Sequence, residues 1–97
     1  MRQAARIDSN QPAIVKALRS AGARVQSLAA VGKGCPDLLV GFGKRNLLLE
    51  VKDGAKPPSA RKLTPAEEEW HSQWTGYGQV AIVETPEQAV RLLTEST

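Results

Sequence analysis

The chain has 97 residues, with 13 Lys or Arg against 10 Asp or Glu and a formal charge of +3. That length fits one domain, expected over residues 1–97, with a modest core and no room for a separate regulatory domain; a hydrophobic fraction of 41% excludes wholesale disorder. The single cysteine, Cys35, excludes an internal disulfide and fits a reducing compartment. No apolar run is long enough to span a membrane, and Met1-Arg2-Gln3-Ala4-Ala5-Arg6 leads into no apolar signal core. The expectation is a soluble, cytoplasmic protein with a flexible arm over residues 1–7, small enough to gain stability as a homodimer.

Taken in chain order, a first helix is predicted to start near Asp8-Ser9, both good N-caps, with Pro12 in its first turn. Ile14, Val15, Leu18 and Ala21 follow helical spacing and Gly22 supplies the stop. Arg24 to Leu28 reads as a short strand, and Ala29 to Gly34 as a glycine-containing turn. Asp37–Phe42 and Asn46–Lys52 read as two strands joined by Gly43-Lys44-Arg45, a hairpin-length connection. Asp53 to Lys62, with Gly54, Pro57, Pro58 and Ser59, has loop composition. A second helix opens with Thr64 as N-cap, Pro65 at N1 and Glu67 closing a capping box. Gln79–Glu84 is a strand, and Thr85-Pro86-Glu87-Gln88 repeats the capping pattern for a last helix with Ala89, Leu92 and Leu93 inward. The order αβββαβα predicts an α/β fold, a mixed central sheet flanked by helices.

Within this pattern, Pro36-Asp37 and Glu50-Val51-Lys52 stand out. They place two carboxylates and a lysine beside the apolar runs Leu38-Leu39-Val40 and Leu47-Leu48-Leu49. Residues i and i+2 of a strand share a face roughly 6.6 Å apart, so Glu50 and Lys52 project together while Val51 points away. Asp37, on the neighbouring strand, can reach the same spot. An arbitrary Asp and Glu-x-Lys would be a turn cap and a surface ion pair of little consequence. Here the flanking runs imply strands buried on both faces, where unpaired charge is expensive and a cation is the natural partner. Asp37, Glu50 and the Val51 carbonyl offer hard oxygen ligands suited to Mg²⁺ or Mn²⁺, and Lys52 would orient a water or offset transition-state charge. Such a set suits phosphodiester hydrolysis.

The basic excess lies around this motif: Lys44, Arg45, Lys52, Lys56, Arg61 and Lys62 fall between positions 44 and 62, opposed by Glu50 and Asp53. Of these, Lys44, Arg45, Lys56, Arg61 and Lys62, together with Lys33, are candidates for DNA phosphate contacts. Gly32-Lys33-Gly34 lacks the spacing of a nucleotide-binding phosphate loop. His71, the only histidine, reads as a solvated partner of Glu67, Glu68 and Glu69 rather than a ligand. Cys35 reads as a small packed residue. Trp70 and Trp74 could stack on bases, but their i,i+4 spacing favours core or a dimer interface.

The motif Pro36-Asp37…Glu50-Val51-Lys52 resembles the PD-(D/E)XK nuclease signature. The wider frame, from Gly32-Lys33-Gly34-Cys35-Pro36-Asp37 through Glu50-Val51-Lys52-Asp53-Gly54 and Leu63-Thr64-Pro65-Ala66-Glu67 to Thr85-Pro86-Glu87-Gln88-Ala89, resembles the small stand-alone VRR-NUC domains of phages and bacteria. The resemblance implies a restriction-endonuclease-like, Holliday-junction-resolvase-like core, metal-dependent DNA hydrolysis and a homodimer inside a bacterial or phage-infected cell. It carries metal binding to Asp37 and Glu50 and the catalytic lysine to Lys52. The family's first-helix glutamate has no counterpart here; Asp8 and Gln11 stand nearest that position. The rival from another class is a non-catalytic DNA-binding or assembly module using the basic 44–62 region.

Overall fold

The computed structural model of the protein describes residues 7–95, so the arm expected over residues 1–7 lies, except for Ile7, outside the described residues. Seven elements follow the predicted order: α1 (Gln11–Ser20), β1 (Arg24–Ser27), β2 (Leu38–Phe42), β3 (Arg45–Val51), α2 (Pro65–Trp74), β4 (Val80–Val83) and α3 (Pro86–Thr94). A short 3₁₀ turn at Pro58–Ala60, unforeseen in the sequence, punctuates the proline-rich loop.

The four strands form one sheet in the order β1-β2-β3-β4. The first three run antiparallel and β4 joins β3 in parallel, so the sheet is mixed as expected. The β2–β3 hairpin closes over two residues, Gly43 and Lys44, with φ of 58° and 66°. Positive φ at both central positions gives the turn whose twist matches that of paired strands. Its register sets Leu38 opposite Leu49 and Leu39 opposite Leu48. Arg45 therefore belongs to β3 rather than to the connection.

Alternation along the strands sorts the side chains between two faces. Leu38, Val40, Leu47, Leu49, Val51 and Val83 pack with Ile14 and Leu18 of α1 and Ala89 and Leu93 of α3 into one apolar cluster. α1 and α3 thus cover one face of the sheet. Among the described helices α2 is the one on the opposite face, and it buries none of its own residues. The expectation of strands buried on both faces holds for one face alone: Leu39 and Leu48 are only half-buried.

The helix ends are fixed by local hydrogen bonds. Thr64 and Glu67 make both halves of the predicted capping box on α2. Thr85 accepts from Gln88 N at α3, but the Gln88 side-chain Oε1 accepts from the Glu84 N–H at 2.8 Å, so that box is half-formed. At α1 the N-cap is Asn10, not Asp8 or Ser9, and it makes no side-chain cap bond. Instead its amide nitrogen donates to the Lys52 and Glu84 carbonyls at 3.0 and 2.9 Å, joining the ends of β3 and β4. No helix among the described residues is long and apolar enough to cross a membrane.

Candidate active site

The C-terminal end of β3 and the start of β2 bring the three motif residues together. The Asp37 backbone is clamped on both sides: its N–H donates to Leu49 O at 3.0 Å and its carbonyl accepts from Leu28 N at 2.8 Å. Its carboxylate accepts from the Val51 N–H at 2.7 Å, tying the side chain to the end of β3. Glu50 and Lys52 project from the face opposite Leu49 and Val51, toward α2, and both are buried. Lys52 is held at its backbone by Val83 O (2.9 Å) and Asn10.

α2 supplies two further members. Glu67 Oε1 accepts from Lys52 Nζ at 2.8 Å while also accepting from Thr64 N at 2.8 Å, so one oxygen serves both the helix cap and the lysine. His71 Nε2 lies 3.2 Å from Glu50 Oε1. The spacing explains the match: residues four apart on a helix rise about 6 Å, and residues two apart on a strand about 6.6 Å. α2, running antiparallel to β3, sets Glu67 on Lys52 and His71 on Glu50. His71 is therefore not the solvated partner of the glutamates in its own helix that its sequence neighbours suggest.

Burial, a hydrogen bond to the Asp37 carboxylate and the charges of Asp37 and Glu67 push the Glu50 carboxyl up to about 9, with Lys52 pulling the other way. Burial, aided by the Lys52 charge and opposed by Glu67, holds His71 below its usual value. Their 3.2 Å contact is thus a hydrogen bond between neutral partners rather than an ion pair. Burial alone would lower Lys52, but its hydrogen bond and pairing with Glu67, backed by Glu50 and Asp37, raise it. Glu67 is lowered although burial acts against it, because Lys52 and the Thr64 N–H outweigh that cost. Burial and the nearby Glu50 and Asp37 charges raise the Cys35 thiol, which fits a packed residue and not a nucleophile.

The other candidates divide. Asp8 pairs loosely with Lys56 at 3.7 Å. Gln11 is buried, and its side-chain oxygen has no partner among the described residues. Neither hydrogen-bonds to the side chain of Asp37, Glu50 or Lys52; the side chains that do come from α2. Lys33, Lys44 and Lys62 are exposed. Arg45 is not: its guanidinium donates to the Leu92, Leu93 and Glu95 carbonyls at 2.8 to 3.1 Å, fastening the end of α3 to the sheet. Arg61 pairs with both Glu84 oxygens at 3.3 Å. Those two arginines are bonded within the fold.

The donor set fits a small hard cation. No group of three or more His, Cys, Asp or Glu side chains is arranged to hold a metal among the described residues. Two adjacent carboxylates, one of them resisting ionisation because it is buried and lies beside the other, match an ion that takes one or two carboxylates and completes its shell with water and phosphate.

A four-stranded mixed sheet carrying an acidic pair and a lysine at the β2–β3 ends, with helices on both faces, defines a restriction-endonuclease-like α/β fold. A solved structure described as a VRR_NUC domain superposes with a TM-score of 0.66 at 24% sequence identity, over 90% of this chain and 92% of that one. The chain has the VRR_NUC fold. No protein-family model and no curated protein matches it.

Proposed function

We propose that the protein is a metal-dependent endodeoxyribonuclease, in which Asp37 and Glu50 hold Mg²⁺ or Mn²⁺ and Lys52 is the catalytic lysine. The observation that carries the reading is the convergence of Asp37, Glu50 and Lys52 at one strand end, beneath a helix that contacts both Glu50 and Lys52. The Val51 carbonyl shares the strand edge of the N–H that meets Asp37, and is a third oxygen for the ion. When bound, the ion would stabilise charge on the phosphoryl group and supply a nucleophile at neutral pH.

The chain's own residues do the rest. Asp37 is held rigid by three backbone contacts, so its free oxygen keeps its direction. Glu50 would hold the ion as its carboxylate, and neutral His71, 3.2 Å away, is placed to take up or relay its proton. Lys52 stays charged and is kept by Glu67 beside the carboxylates, where it can orient the attacking water and balance charge developing on the phosphate. The exposed Lys33, Lys44, Lys56 and Lys62 are the phosphate contacts of this reading. A homodimer presenting two such sites would suit paired cuts on four-way-junction or other branched DNA inside the cell.

The rival binding-module reading loses ground because two of the cations it relies on, Arg45 and Arg61, are bonded internally. Purified protein should cleave at least one of single-stranded, duplex, flap or four-way-junction DNA with Mg²⁺ or Mn²⁺. It should fail to do so in EDTA, and Asp37→Ala and Lys52→Ala should be inert at unchanged folded fraction. Cleavage that survives in both variants or in EDTA would overturn the mechanism. Light scattering on the same samples decides the dimer.

A further inference from the structure

The carboxylates occupy only one end of the α2-side face of the sheet. Glu50, Leu48 and Asn46 alternate along this face of β3, with Leu39 and Gly41 of β2 paired beside the last two. Beyond Glu50 the described residues leave the face open as two adjoining hollows of about 330 and 270 Å³, which share Leu39 and Asn46. The first begins about 6.6 Å along β3 from Glu50, at Leu48. Trp74 and Tyr77 wall it; Arg24 lies at the far end of the second.

The wall is built and not merely exposed. Trp74, 41% exposed, is backed by Trp70 with ring centroids 4.8 Å apart at 25°. Its indole lies over Gly78, where a Cβ would come within 3.0 Å of Nε1. Tyr77, 85% exposed, is set by a turn closed through Tyr77 N to Trp74 O at 2.9 Å. That turn is pinned to the sheet by Leu48 N on Gln79 O at 2.9 Å. No carboxylate lines either hollow among the described residues, and amides (Asn46, Gln79) flank the apolar floor.

We propose that this trough is a nucleobase subsite: an unpaired base of the DNA strand whose phosphate lies at Asp37 and Glu50 stacks on the Trp74–Tyr77 wall. The inference rests on the nuclease reading and narrows its substrate to strands with unpaired nucleotides beside the scissile bond. Every base has an apolar π-face suited to an aromatic wall, whereas in a duplex those faces are covered by neighbouring pairs. A volume of about 330 Å³ suits one small planar group. Arg24, at the far end, is placed for a further phosphate of the same strand, and continuity with the carboxylate site gives the trough its direction.

The test is binding in EDTA, read by tryptophan fluorescence, of a 15-nucleotide oligothymidylate and of a duplex of the same length. The proposal expects saturable quenching by the single strand and little by the duplex. It expects about tenfold weaker single-strand binding for Tyr77→Ala, whose exposed side chain the fold does not need, and recovery for Tyr77→Phe. Equal affinity of Tyr77→Ala and wild type overturns it, as does equal quenching by both DNAs. Tyr77→Ala converting a dimer to a monomer by light scattering also overturns it, since a second copy would then fill the trough. Binding in EDTA is independent of cleavage, so a protein that binds in this pattern yet never cuts would count against the nuclease reading and not against the subsite.

Discussion

Replacing Glu50 with Gln should make the metal-free protein more stable while abolishing its activity. Glu50 is 2% exposed and its carboxyl is pushed from 4.5 up to about 9 by burial and Asp37. Because the folded-state value is the raised one, the stability linked to this group is fully present below pH 4.5 and is lost as the pH climbs toward about 9. Each pH unit in that window costs about 1.4 kcal/mol, so roughly 3 kcal/mol is gone by pH 7 and about 5 or 6 by pH 9. That is a large share of the 5–15 kcal/mol typical of a domain. Glutamine keeps the shape and the contact with His71 but has nothing to ionise. His71, with its lowered value, works the opposite way as the pH falls through its ordinary range, so the comparison must pair variant with wild type at each pH. Urea unfolding in EDTA at pH 5, 7 and 8.5 should show the two proteins nearly equal at pH 5 and Glu50→Gln ahead by a growing margin above it. Adding Mg²⁺ at pH 8.5 should raise the wild-type midpoint and leave the variant's unchanged. Parallel pH profiles for the two proteins would refute both the raised carboxyl and the like-charge pair behind it.

Other perturbations separate structure from chemistry. Gly34 has φ +83°, and a Cβ there would collide with the Ala66 carbonyl in the first turn of α2. Gly34→Ala should therefore cost several kcal/mol in urea unfolding and displace α2, lowering cleavage as well. Thr64→Ala removes one half of the capping box and should cost about 1 kcal/mol in the same assay. Arg45→Ala should lower stability without changing the salt dependence of DNA binding, whereas Lys62→Ala should reduce the slope of log K against log salt by about one and leave stability alone. His71→Ala should lower kcat and shift its pH profile with KM nearly constant; a change confined to KM would remove His71 from proton handling.

Local signals made most of the fold legible. Alternation placed the hairpin strands to within a residue, glycine at 22 stopped α1, and Thr64 with Glu67 gave α2 its start. The same alternation put Glu50 and Lys52 on one face, which the structure shows. What the sequence hid were long-range choices. Asn10, which looks like a turn residue beside two better caps, bonds to carbonyls 42 and 74 residues away. Arg45 and Arg61 carry no mark separating them from exposed lysines, yet Arg45 finds the orphan carbonyls of α3 and Arg61 finds Glu84. Glu67 had a sufficient role as a cap, and His71 had acidic neighbours in sequence. Only docking α2 on β3 gives both a second partner. Matching the four-residue helix step to the two-residue strand step was the available clue.

α2 makes the closest contacts to the motif and buries none of its own residues. Its amides should exchange with solvent through local opening, well before those of β3, whose Leu47, Leu49 and Val51 lie in the core. In such an opening Lys52 and Glu50 lose Glu67 and His71 together, while Asp37 stays fastened to the hairpin. The molecule therefore comes apart in two stages, a rigid carboxylate platform outlasting the helix that trims its charge. The end that carries Glu50 and Lys52 can breathe without the fold unravelling.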